Sequence, residues 1–143
     1  MQIGKHLRHT SQPSNLHIVH YLANFNVIKK RFRKVYFYKH YYEEFYKSLD
    51  ERVKLKVNWT IELIETVDSI PRKYFDHIAG TDGLFEIRVE YSSNIYRIFC
   101  FFDAGKLIIA INGFQKKTQK TPRNEIERAK RIKRKYFDEK KEA

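Results

Sequence analysis

Arg88, Arg97, Lys116, Lys117, Thr118 and Lys120 are the residues of this chain whose types and spacing could do chemistry. The sequence has no glycine-rich phosphate loop, no His-Glu-x-x-His pair and no Gly-x-Ser-x-Gly elbow. What it does have is guanidinium, ammonium and hydroxyl groups, and these suit phosphate. Arginines hold phosphoryl oxygens by paired, charge-assisted hydrogen bonds and can stabilise charge that develops on them. Like-charge crowding disfavours the protonated form of an amine, so a lysine of the cluster can accept a proton from a ribose 2′-hydroxyl. A neighbour can then donate one to the leaving 5′-oxygen. The chemistry implied is RNA cleavage by 2′-oxygen attack on the adjacent phosphate, with no cofactor and no metal. Four histidines form two loose pairs, His6 with His9 and His17 with His20, short of the four convergent ligands of a zinc site. His77 lies beside Asp76 and reads as a surface residue.

Each of these residues also has an ordinary structural reading. Arg97 interrupts the oily run IYRIFCFF, so its charge must reach water, a ligand phosphate or a carboxylate such as Glu86 or Glu90. Lys116 and Lys117 read equally as solubilising loop lysines. Beyond them, residues 112–137 hold ten Lys and Arg against two Glu. Arg128, Lys130, Arg131, Lys133, Arg134 and Lys135 fit the wet face of an amphipathic helix, with Ala129, Ile132, Tyr136 and Phe137 as its narrow apolar stripe. Such a face is also a landing surface for RNA, with Thr118, Arg123, Arg128, Arg131 and Lys135 as the contacts expected.

These side chains need a scaffold, and the hydrophobic pattern supplies one. Residues 34–39, KVYFYK, read as a strand. Tyr41, Tyr42, Phe45, Tyr46 and Leu49 then share one helical face. A second helix follows, capped by Asp50, with Val53, Val57, Ile61, Ile64 and Val67 inward; Pro71 is expected to end it. The two make a helical hairpin. RKYFDHIAGTDG reads as a loop. The period then changes to two, with Phe85, Ile87, Val89 and Tyr91 alternating against Glu86, Arg88 and Glu90. SSN and DAGK turn the chain between this strand, the central strand IYRIFCFF and a third, LIIAINGF. A last, basic helix is expected from Thr121 as cap and Pro122 as first helical residue. The order β-α-α-β-β-β-α predicts an α+β domain: an antiparallel or mixed sheet with the helices on one side of it.

Composition is consistent with this. At 143 residues one domain is expected, and 42% apolar residues suffice for a core. No stretch approaches the roughly 18 apolar residues of a membrane span. Together with the single cysteine, Cys100, which reads as a buried small hydrophobe, this predicts a soluble cytoplasmic protein. Net charge is +12, and it sits at the ends: residues 35–111 carry ten bases and twelve acids, residues 112–143 twelve bases and five acids. Phosphate polymers, acidic proteins or anionic membranes are the partners such ends attract. Residues 1–30 carry no acid and include a Ser-Gln-Pro-Ser-Asn turn cluster. They are expected to be a disordered extension, with a short helix at most near 16–25, or to precede the true start at Leu22 or Val27; residues 31–143 form the domain.

Three motifs carry a family resemblance: GLFEIR at 83–88, NIYRIF at 94–99, and GFQKKTQKTPRNEIERA at 113–129. Over roughly residues 33–140 the chain resembles the RelE/ParE toxin superfamily, in its HigB-like, phage-derived branch. The resemblance implies a RelE-like fold and the toxin of a type II toxin–antitoxin system, an endoribonuclease that cleaves mRNA on the ribosome. It maps the family's motif arginines onto Arg88 and Arg97 and its motif lysines onto Lys116, Lys117 and Lys120. It implies a helix-turn-helix, HigA-like antitoxin as partner, and no membrane. Two other functions fit the same scaffold: a non-catalytic, ParE-like inhibitor of DNA gyrase, and a general nucleic-acid-binding domain.

Overall fold

The computed structural model describes residues 29–143. The N-terminal extension up to residue 28, its histidine pairs, the short helix near 16–25 and the alternative starts lie outside the described residues. The elements run β1 (Lys34–Phe37), α1 (Tyr41–Lys47), α2 (Glu51–Thr66), β2 (Phe75–His77), β3 (Phe85–Tyr91), β4 (Asn94–Asp103), β5 (Leu107–Lys116) and α3 (Arg123–Glu142). The strands form one sheet in the order β1-β5-β4-β3-β2, antiparallel except for the parallel pair β1 and β5. This is a mixed-sheet α+β fold, of the kind the resemblance implies.

The apolar run of β4 has to be buried on both faces, and the helices divide to do it. Ile98 and Cys100 face the α1–α2 hairpin together with Val53, Val57, Ile61 and Ile64, while Phe99 and Phe101 face α3 with Ala129 and Ile132. The expectation of helices on one side is therefore corrected. A sheet whose central strand has no wet face needs a layer on each side.

Three boundaries also differ from the pattern. β2 falls in a stretch expected to be loop. Its three residues are too few to show a period, and it exists because Phe75 pairs with Ile87 and stacks on Phe85 at 5.1 Å. Helix α2 stops at Thr66, well before Pro71. The guanidinium of Arg33 takes its last carbonyls, donating to Ile64 at 3.0 Å and Val67 at 2.7 Å, and Val67 leaves in an extended conformation. Helix α3 begins at Arg123 with Pro122 as the cap residue and no side-chain cap; the carboxylate of Glu125 accepts instead from Asn112 of β5 at 3.2 Å. The Asp50 cap stands as expected, accepting from the Arg52 amide at 2.8 Å.

Two local devices set the position of the site. Ser92 and Ser93, both at positive φ (48° and 69°), close the β3–β4 hairpin in two residues and so fix its register. A register shift in the β4–β5 ladder between Ile98 and Cys100 brings Gly113 opposite Ile98. The ring of Phe45 packs there so closely that a Cβ on Gly113 would sit 2.6 Å from it. At the far end α3 is clamped to β4: Tyr136 donates to Asp103 at 2.6 Å, and Lys140 reaches the same carboxylate at 2.7 Å. Among the described residues, no helix is long and apolar enough to cross a membrane.

Candidate functional site

Arg88 and Arg97 are direct cross-strand partners, on β3 and β4. A third residue of the same sheet face, Glu86, stands between them. Its Oε1 accepts from Arg88 Nε at 3.0 Å, and its Oε2 lies 3.4 Å from Arg97 Nε. Arg97 is only 7% exposed and Glu86 6%. Of the alternatives open for Arg97, pairing with Glu86 is the one the structure adopts. Burial pulls the Arg97 guanidinium below its ordinary pKa, while the Glu86 charge pushes the other way. Neither Glu86 Oε2 nor Arg97 Nε has a well-formed hydrogen bond, and both are buried. Arg97 Nη1 donates to the Tyr96 carbonyl at 3.1 Å. On its outer side Arg88 reaches Asp76 at 3.2 Å, and Asp76 also meets Arg72 at 3.0 Å. The Arg72 contact holds the Asp76 carboxyl below the usual range.

Lys116 ends β5 opposite Ile95, two residues along from Arg97, so it emerges on the same face of the sheet. Lys117, Thr118 and Lys120 follow on an exposed loop that folds back through Thr118 Oγ, which donates to the Lys120 carbonyl at 2.8 Å. Lys116, Lys117 and Thr118 line a shallow groove of about 650 Å³, closed on its other side by Ser93 and Asn94 of the β3–β4 turn. Among the described residues, no carboxylate lies within ion-pairing distance of Lys116, Lys117, Lys120 or Arg123, whereas Arg88 and Arg97 both pair with acids.

The structure thus gathers Lys116, Lys117 and Thr118 into one groove and places Arg97 beneath the neighbouring part of the same sheet face. It does not bring Arg88 there. Arg88 borders a separate cavity of about 180 Å³ with Lys56 and Tyr74. On α3, Arg123 and Arg131 are exposed. Arg128 lies over the Tyr41 ring at 5.9 Å and 4.0 Å from Glu44, and Lys135 is 3.5 Å from the Tyr41 hydroxyl, so these two face α1. Glu86 is a residue the charge pattern undervalued. Its spacing of two from Arg88 on an alternating strand already put both on one face, and the register that adds Arg97 comes from the two-residue turn.

Other groups contribute little reactivity. Cys100 is fully buried, and burial pushes its thiol well above the ordinary range. His77 is exposed at the end of β2, edge-on to Phe85 at 5.2 Å. Among the described residues, no group of three His, Cys, Asp or Glu is placed to hold a metal ion.

A family model described as phage derived protein Gp49-like (DUF891) matches residues 44–134, from within α1 to the middle of α3. No curated protein matches the chain.

Proposed function

The chain belongs to the phage-derived Gp49-like family, and we propose that it is the toxin of a type II toxin–antitoxin system, an endoribonuclease that cuts translated mRNA. One observation carries the reading. Lys116 and Lys117 at the end of β5 line a groove and are left without carboxylate partners, while Glu86 and Asp76 of the adjoining strands are already engaged by arginines. Unpaired ammonium groups around a groove at the end of a rigid strand suit a phosphodiester. The family's place in the RelE toxin–antitoxin context supports the same reading.

In the step proposed, the ribose 2′-oxygen attacks phosphorus and the bond to the 5′-oxygen breaks. The products are a 2′,3′-cyclic phosphate and a 5′-hydroxyl. One of Lys116, Lys117 and Lys120 takes the 2′-proton, and a neighbour gives one to the leaving oxygen. Thr118 and Arg123 hold the adjoining phosphates. Arg97 and Arg88 supply guanidinium charge to the same face; for either to reach a phosphate oxygen, the phosphate must compete with Glu86. The partner that silences the protein is a helix-turn-helix antitoxin whose acidic surface covers the groove.

Mapping mRNA 5′ ends in cells expressing the protein tests this. Cuts spaced by codons within translated messages are expected. Intact mRNA accompanied by double-strand DNA breaks would overturn it in favour of a gyrase inhibitor, and intact mRNA and DNA together would leave only a binding role.

A further inference from the structure

A second basic cavity lies on the far part of α3, away from the lysine groove. It has a volume of about 430 Å³, within the usual range of small-ligand sites. The 80–84 loop forms one wall and α3 the other. Its floor is apolar, from Leu84 and Phe137; its rim carries Lys130, Lys133 and Arg134 opposite Asp82. Lys133 is fixed in place, its ammonium donating to the Asp82 carbonyl and lying 5.8 Å from the Phe101 ring. Arg134 is exposed and makes no ion pair among the described residues, and Lys130 meets only its helix neighbour Glu127 at 3.2 Å.

The lining pairs two chemistries. An inorganic anion would leave the Leu84–Phe137 floor unused, and an apolar ligand would bring no charge for three cations. A nucleotide uses both: its base covers aromatic and aliphatic surface, its phosphate meets the cations, and amino groups on the base suit the Asp82 carboxylate. The spacing also fits a continuous strand. Arg123 at the start of α3 and Lys130 are seven residues apart, about 10 Å along the helix axis.

We propose that this cavity is a second RNA subsite, holding one unpaired nucleotide of the message several positions from the phosphate in the lysine groove. The proposal rests on the mRNA-cleaving reading of that groove. It assigns to Lys130, Lys133, Arg134 and Phe137 a capture role that leaves the reaction itself to the lysines.

Binding by the purified full chain of two fluorescein-labelled, 2′-O-methyl oligoadenylates, which cannot be cleaved, tests it: a trimer and an octamer, followed by anisotropy over a range of salt. A Lys130→Ala/Arg134→Ala variant removes two charges whose one ion pair in the described fold is that of Lys130 with its helix neighbour Glu127. It is expected to weaken the octamer about tenfold and to lower its salt slope by about 0.7, the share of one phosphate, with trimer binding unchanged. Lys117→Ala is expected to weaken both probes. Wild-type octamer binding by the double variant, with both probes weakened by Lys117→Ala, would overturn the subsite and leave the groove standing. Binding of neither probe, or no effect from any variant, would overturn both. A 4-thiouridine placed at the octamer's far end is expected to cross-link to Phe137, and cross-linking only within residues 116–120 would count against the cavity.

Discussion

Glu86 is shared by two arginines, with Oε1 3.0 Å from Arg88 Nε and Oε2 3.4 Å from Arg97 Nε, and it is buried with the second of them. The arginine that stands out in the sequence as the best phosphate ligand is therefore already neutralised inside the fold. Its neighbours in sequence space, the lysines after β5, are not. Free charge and buried charge do different work here. Buried pairs resist loss of one partner strongly even when the pair adds little net stability.

Glu86→Ala removes the carboxylate that pairs with the buried Arg97 guanidinium. The expected destabilisation is about 3 kcal/mol or more in guanidinium unfolding. Arg97→Met should cost less, because it removes the charge and keeps the volume, and the double variant should be more stable than the sum of the two predicts. Additive single effects would show that the two groups are not coupled. It follows that Arg97→Ala is no clean probe of catalysis, since it disturbs the sheet as well.

Lys117→Ala is the cleaner probe. Lys117 is exposed, and no acid pairs with it among the described residues. Unfolding free energy should stay within about 0.5 kcal/mol of wild type, while mRNA cleavage and growth arrest fall by about a hundredfold or more if it moves a proton. Full toxicity at equal expression would remove Lys117 from the site. The same substitution at Lys116 and Lys120 ranks the three.

Much of this was legible before the fold was known, and the rest fails for identifiable reasons. Alternation in FEIRVEY placed Glu86 and Arg88 on one face, and the Asp50 cap and the hairpin turns were readable from residue type alone. The run IYRIFCFF, interrupted only by Arg97, marked the central strand, but the layers were misplaced: the pattern put the helices on one side, and the apolar residues on both faces of β4 need a layer on each. What could not be read was non-local. Arg33 ends α2 from thirty residues away and β2 is created by its ladder partner; a carboxylate partner for Arg97 was among the outcomes its oily surroundings left open, and the register set by the two-residue turn makes it Glu86. The cavity on α3 needs the 80–84 loop, which contacts the helix across fifty residues of chain.

Gly113→Ala should destabilise the protein without touching the lysines. A methyl there would lie 2.6 Å from the Phe45 ring, which is buried and cannot swing into solvent. Overpacking of this kind costs about 1–3 kcal/mol, read as a lower thermal midpoint. Phe45→Leu in the same chain should return part of the loss. A Gly113→Ala variant as stable as wild type would mean that α1 moves away from the sheet without penalty.

Acid should loosen α3 through Asp103. The Lys140 ammonium first, and then the Tyr136 hydroxyl, hold the Asp103 carboxyl below its ordinary value, with burial opposing them. The folded protein therefore binds this proton less readily than the unfolded chain. The contact adds stability that is fully present above about pH 4, the unfolded value, and is lost as pH falls through the lower folded one. At the other extreme the Tyr136 phenol, pushed up to about 12 by burial and by Asp103, adds stability present below about pH 10 and lost as pH rises through its folded value. Urea unfolding followed by the fluorescence of Trp59, the sole tryptophan, should show an acid slope in wild type that Asp103→Asn flattens. Equal acid slopes in the two proteins would mean that the clamp on α3 contributes nothing to the fold. The end of the helix would then owe its position to its other contacts, the packing of Phe101 against Tyr136 and Phe137 and the bonds from Tyr38 and Lys39 to Glu139.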